Sequence, residues 1–163
     1  MLKTLVNFVK ILSSEAEPGQ VSLALGLSMV AGLTPLFSLH NLLVLLLVLL
    51  LRVNLSAFLL GLTFFSGVAY ALDPLFHRIG LAVLTASPLN GLWTTLYNST
   101  LWRVERFNNS IVMGSLLVSL LLLVPFYFLA NWAILRYRGH VLAWVRKTRL
   151  MQVLSAVRWG GDL

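Results

Sequence analysis

The sequence predicts an all-α membrane protein: a compact helical bundle with a re-entrant helical hairpin, interfacial helices and two to four crossings. Three observations carry this. Of 163 residues, 59% are hydrophobic and only 10% are charged, whereas a soluble domain carries about a quarter charged residues. The charges are also segregated, since Val21–Leu51, Val53–Leu72, Ile79–Trp102 and Phe107–Leu135 contain no Asp, Glu, Lys or Arg. Finally, two of these four runs are broken by proline beside polar or glycine residues, while the other two are continuous apart from an expected kink at Pro125. At about 20 apolar residues per crossing, the chain holds spans and interfacial pieces but no large catalytic domain outside them. The charge distribution excludes a soluble enzyme, a nucleic-acid-binding domain and a disordered tail.

Residues 2–13 set Leu2, Leu5, Val6, Val9 and Leu12 on one helical side and Lys3, Asn7 and Lys10 on the other. This is the pattern of a helix lying in the headgroup plane or packed on the protein's own membrane domain. Residues 1–17 are therefore read as an amphipathic N-terminal element. With no small-residue cleavage site, it is expected to be retained. Pro18 suits the first turn of the next helix.

Val21–Leu51 is broken near its middle by Gly32-Leu33-Thr34-Pro35. Residues 21–33 and 36–51 would reach about 20 and 24 Å at 1.5 Å per residue, each short of a hydrocarbon core of about 30 Å. A re-entrant hairpin is the first reading and a kinked single span the second. The pairs Ser22/Gly26 and Ser28/Gly32 let helices approach closely. Asn54 or Ser56 can cap the following helix, residues 53–72, which is long enough to cross. Asp73-Pro74 reads as a helix start, Asp at the N-cap and Pro at the first position. Ile79–Trp102 is studded with polar residues and broken at Ser87-Pro88. Its second half, with Trp93, Tyr97 and Trp102, reads as a pair of short interfacial helices. Asn108 or Asn109 can cap the last long helix, residues 110–135, in which Pro125 is expected to introduce a kink.

Residues 18–135 thus form a polytopic helical membrane domain and 136–163 a basic tail. Arg136, Arg138, Arg146, Lys147, Arg149 and Arg158 face a single acid there, Asp162. The positive-inside rule puts that tail in the cytoplasm. The net charge of +7 is explained by topology and anionic headgroups, because no basic patch with stacking aromatics accompanies it. No nucleic-acid partner is expected.

The stretch Gly32-Leu-Thr-Pro-Leu-Phe-Ser-Leu-His-Asn41, the run to Leu51-Arg52-Val53-Asn54, and Leu72-Asp73-Pro74-Leu75-Phe76-His77-Arg78 resemble a family of small bacterial membrane proteins. That family belongs to, or lies close to, the domain of unknown function numbered twenty sixty-two. The resemblance covers nearly the whole chain, including Trp102-Arg103 and Arg106-Phe107-Asn108-Asn109. In the wider domain the residue-Pro boundary usually reads Asn-Pro, where this chain has Asp73-Pro74. The resemblance implies a bacterial inner-membrane protein, brings no established activity, and hints at a much larger envelope protein as partner.

Two candidate sites follow. Thr34, Ser38 and Asn41 share one helical face, with His40 beside them and Pro35 freeing backbone groups. This stripe either binds a polar group such as a lipid headgroup or ion, as broken helices do in transporters, or hydrogen-bonds its neighbours and repairs the break. Asp73, His77, Arg78, Arg103 and Arg106 form a boundary or partner-docking set, with Asp73 as N-cap and Arg78 as interfacial anchor. Glu105, between the last two, reads as solvated. The four charge-free runs contain His40 but no carboxylate, so neither acid–base catalysis nor ion-coupled transport is expected. With no cysteine and no metal or phosphate-loop motif, no cofactor or metal is expected either. The expected role is a non-enzymatic inner-membrane subunit or scaffold of a larger envelope assembly, one that can handle lipid. The alternative is a small oligomeric lipid or solute transporter built around Thr34–Asn41. Membrane lipids and either a larger protein or further copies of the chain are the expected partners.

Overall fold

The computed structural model describes residues 17–147, and among them every regular element is helical. The amphipathic segment 2–13 and the end of the basic tail lie outside the described residues. The six helices are α1 (Pro18–Leu33), α2 (Leu39–Leu50), α3 (Leu55–Leu84), α4 (Asn90–Tyr97), α5 (Thr100–Glu105) and α6 (Ser110–Lys147). A 3₁₀ turn at Ser87–Leu89 links α3 to α4.

The break expected at Gly32–Pro35 is present, and α1 and α2 fold back on each other. At one end the Asn41 side chain donates to the Ala31 carbonyl over 3.3 Å. At the other, the Asn54 backbone N–H reaches the Gln20 carbonyl over 3.5 Å. The segment therefore begins and ends at the same end of the bundle, which favours the hairpin over the kinked single span. The α1 helix, 16 residues long, measures about 24 Å and α2, with 12 residues, about 18 Å.

The centre of the molecule is α1. From Val21 to Leu33 every residue except Leu23 is buried, as expected of a helix that is apolar all round. It packs against α3 and α6, which also pack on each other, while α2 covers it through Val44 and Val48. Small residues make the close contacts. A Cβ on Gly32 would stand 2.7 Å from the Phe65 Cβ. At the α3–α6 crossing, a Cβ on Gly80 would overlap the Ser110 carbonyl and one on Gly114 the Phe76 carbonyl. Only glycine allows backbones this close.

Both expected caps form: Asn54 Oδ1 accepts from the Ala57 N–H at 2.8 Å and Asn109 Oδ1 from the Ile111 N–H at 2.9 Å. Two elements differ from the sequence reading. Asp73-Pro74 does not start a helix, because α3 runs through it to Leu84. Asp73 is consequently no N-cap, and Pro74 leaves the Tyr70 carbonyl without its helical donor. The last helix also continues past residue 135 to Lys147, with Pro125 inside it. Leu55–Leu84 and Ser110–Arg138 are long and apolar enough to cross a membrane.

Polarity is inverted relative to a water-soluble bundle. Ser22, Ser28, Ser115 and Ser119 are fully buried, whereas Phe37, Leu49, Tyr70 and Leu121 are almost wholly exposed. Soluble proteins do not expose contiguous large apolar surfaces of this kind.

Candidate functional site

The hairpin tip gathers the polar stripe into a closed network. Thr34 ends α1 with its hydroxyl donating to the Val30 carbonyl at 2.9 Å, and it lies 3.2 Å from Asn41 Oδ1. The amide of Asn41 donates to the Pro35 carbonyl at 3.0 Å, with the Ala31 and Leu36 carbonyls at 3.3 and 3.4 Å. One buried carboxamide thus serves three carbonyls around the break that Pro35 opens.

Ser38 and His40 face the other way, toward α5. The Ser38 hydroxyl lies 2.6 Å from the Pro35 carbonyl and 3.0 Å from His40 Nε2. His40 Nδ1 is paired with a Glu105 carboxylate oxygen. The second oxygen of that carboxylate accepts the His40 backbone N–H at 3.0 Å. Ser38 is the N-cap of α2 but makes no side-chain capping bond. Glu105 therefore supplies in space what the local sequence does not: a carboxylate on an orphan N–H at the positive end of the helix dipole.

Glu105 is the residue the sequence reading missed. It is only 6% exposed, rather than solvated, and it stands 65 positions from His40. Its local signal was faint: one acid between two arginines looks like a water-facing boundary. Arg103 and Arg106 themselves are exposed. Arg103 reaches Thr100 Oγ1 at 3.3 Å, and Arg106 terminates α5 in the left-handed region at φ 57°.

A serine, histidine and glutamate in line resemble a nucleophile relay. Here, however, the histidine ring and the carboxylate are consumed at a helix terminus, and neither described cavity is lined by Ser38.

The Asp73 set divides. His77 Nδ1 lies 2.6 Å from the Ser110 hydroxyl, fastening α3 to the first turn of α6. Arg78 is exposed. Asp73 instead lines a cavity of about 420 Å³, together with Thr34, Pro35, Ser66, Tyr70 and Asn109. Structure thus joins the hairpin turn to Asp73 and leaves the three arginines at the surface. A second cavity, of about 360 Å³, lies between Trp93, Tyr97, Phe107 and Asn108. Among the described residues no group of three or more His, Asp or Glu side chains could hold a metal ion.

An uncharacterised protein of Treponema pallidum (strain Nichols) is 26% identical over 141 residues, covering 86% of this chain and 87% of that protein. No solved structure matches the chain. Residues 6–142 match the family model described as an uncharacterised protein conserved in bacteria, DUF2062. The match takes in the hairpin and all of the described helices up to residue 142 of α6, and the chain belongs to the DUF2062 family.

Proposed function

We propose that the chain is a non-enzymatic, multi-pass subunit or scaffold of the bacterial inner membrane that anchors a larger cell-envelope assembly. The observation that carries this reading is the spent state of the polar stripe. Thr34, Ser38, His40 and Asn41 bond each other, the broken backbone or Glu105. Groups committed in this way build a rigid framework and leave little to coordinate a passing solute, which weighs against the transporter reading. Membrane embedding is supported by the exposed leucine and phenylalanine surface around buried serines and by two helices of spanning length. A cation–π contact of 5.3 Å between Arg136 and Trp132 suits a headgroup boundary.

In this reading α3 and α6 cross fully. The hairpin base, beside the start of α3 and the later part of α6, faces the cytoplasm with the basic tail, and residues 85–109 with the hairpin tip face the opposite side. The chain has no cysteine, so single introduced cysteines report cleanly. Phe37→Cys and Arg103→Cys are expected to react from one side of the membrane and Arg52→Cys from the other. Reaction of Phe37→Cys and Arg52→Cys from the same side would overturn this arrangement. The scaffold role is tested by purification in mild detergent after cross-linking. A stoichiometric larger protein is expected, and a stable homo-oligomer without one would contradict it.

A further inference from the structure

Asp73 is a charged group that the framework does not use. The residue is half-buried, and its carboxylate makes no hydrogen bond or ion pair among the described residues. Neither basic neighbour on its own helix compensates it: His77 turns to Ser110, and Arg78 is exposed without an ion pair to it. A carboxylate that faces a partly apolar cavity without a partner attracts a cation able to enter it. The surroundings add acceptors rather than cations. Pro74 withholds the N–H that the Tyr70 carbonyl would otherwise accept, and both Tyr70 and Asp73 line the same cavity. Carbonyls freed at helix irregularities, together with a carboxylate, form an environment that attracts positive charge.

From this we infer that the cavity between the hairpin tip, α3 and the start of α6 binds an ammonium group carried on an apolar stem, with Asp73 as its counter-ion. The volume of about 420 Å³ lies in the range of small-molecule pockets, roughly 300–1,000 Å³, and far exceeds a bare ion. Leu33, Phe37, Ala69 and Ile111 give the wall an apolar part available to the stem, beside the polar Thr34, Ser66 and Asn109. The Tyr70 ring offers a further cation–π surface. The ligand is either a free amine or the headgroup of an aminophospholipid. This site is independent of the scaffold reading, since binding of a soluble amine requires neither a partner protein nor a bilayer.

The test uses the full chain in a neutral maltoside detergent. Calorimetric titration compares hexylammonium with hexanol, and native mass spectrometry compares phosphatidylethanolamine with phosphatidylglycerol. Hexylammonium, phosphatidylethanolamine or both are expected to bind about tenfold or more tightly than their neutral or anionic counterpart. Asp73→Asn, close in shape but uncharged, is expected to remove that preference. Preference for the lipid alone identifies a headgroup site and preference for hexylammonium alone a free-amine site, whereas both together indicate a general ammonium site. Absence of both preferences in the wild-type chain, or persistence of an observed preference in Asp73→Asn, would overturn the inference. Should Asp73→Asn fail to fold, the wild-type comparisons and Asp73→Glu, which keeps the charge and is expected to keep the preference, decide it.

Discussion

Two polar regions sit in an otherwise apolar assembly, and they are built in opposite ways. At the hairpin tip every polar side chain from Thr34 to Asn41 has a partner, and the tip is tied across the fold to Glu105. Beside it, on the same cavity wall as Thr34, Asp73 has no partner among the described residues. Polar groups are costly away from water unless bonded, so a complete network reads as framework and an open carboxylate as a site awaiting charge.

Substitutions sharpen this contrast, because the closed region should be sensitive and the open position tolerant. Glu105→Ala has the largest expected effect. It strips the cap from α2 and leaves His40 Nδ1 without its partner, costing about 3 kcal/mol in a denaturant titration of the purified chain. Asn41→Leu comes next at about 2 kcal/mol, since it orphans the carbonyls around Pro35. Thr34→Val, which keeps the shape and loses one hydroxyl, should cost about 1 kcal/mol. Asp73→Asn is expected to stay within about 0.5 kcal/mol of wild type, or to stabilise, because no native bond is lost. A destabilisation by Asp73→Asn as large as that by Glu105→Ala would erase the distinction between the two regions.

Much of the fold was legible because local chemistry decides it. The break at Thr34-Pro35, the caps at Asn54 and Asn109, the short helices before Glu105 and the close approach at Ser28/Gly32 each follow from a few adjacent residues. Asp73-Pro74 was misread for a physical reason. The same dipeptide serves as N-cap and first turn of a new helix or, as here, interrupts a continuing one. Which applies depends on whether the freed Tyr70 carbonyl and the Asp73 carboxylate have somewhere to face. Here Tyr70 and Asp73 both line a cavity walled in part by Gly32–Phe37 from a different helix pair. Of the candidate site, the Thr34–Asn41 bonds are close in sequence and were foreseen as one of two options. The His40–Glu105 contact spans 65 positions and has no local signature. Nor does Gly114 announce itself: its partner is the backbone at Phe76, and only the crossing of α3 and α6 makes glycine necessary there.

The most direct measurement is a double-mutant cycle on His40 and Glu105, using His40→Leu, Glu105→Gln and the double variant, with stability read by denaturant titration in detergent. His40 and Glu105 are 12% and 7% exposed at their side chains, so their interaction is poorly screened. A coupling of about 1.5 kcal/mol or more is expected if the carboxylate latches the hairpin tip to α5. Additive effects, with coupling within about 0.3 kcal/mol of zero, would mean that Glu105 does not hold the hairpin and would contradict the closed framework.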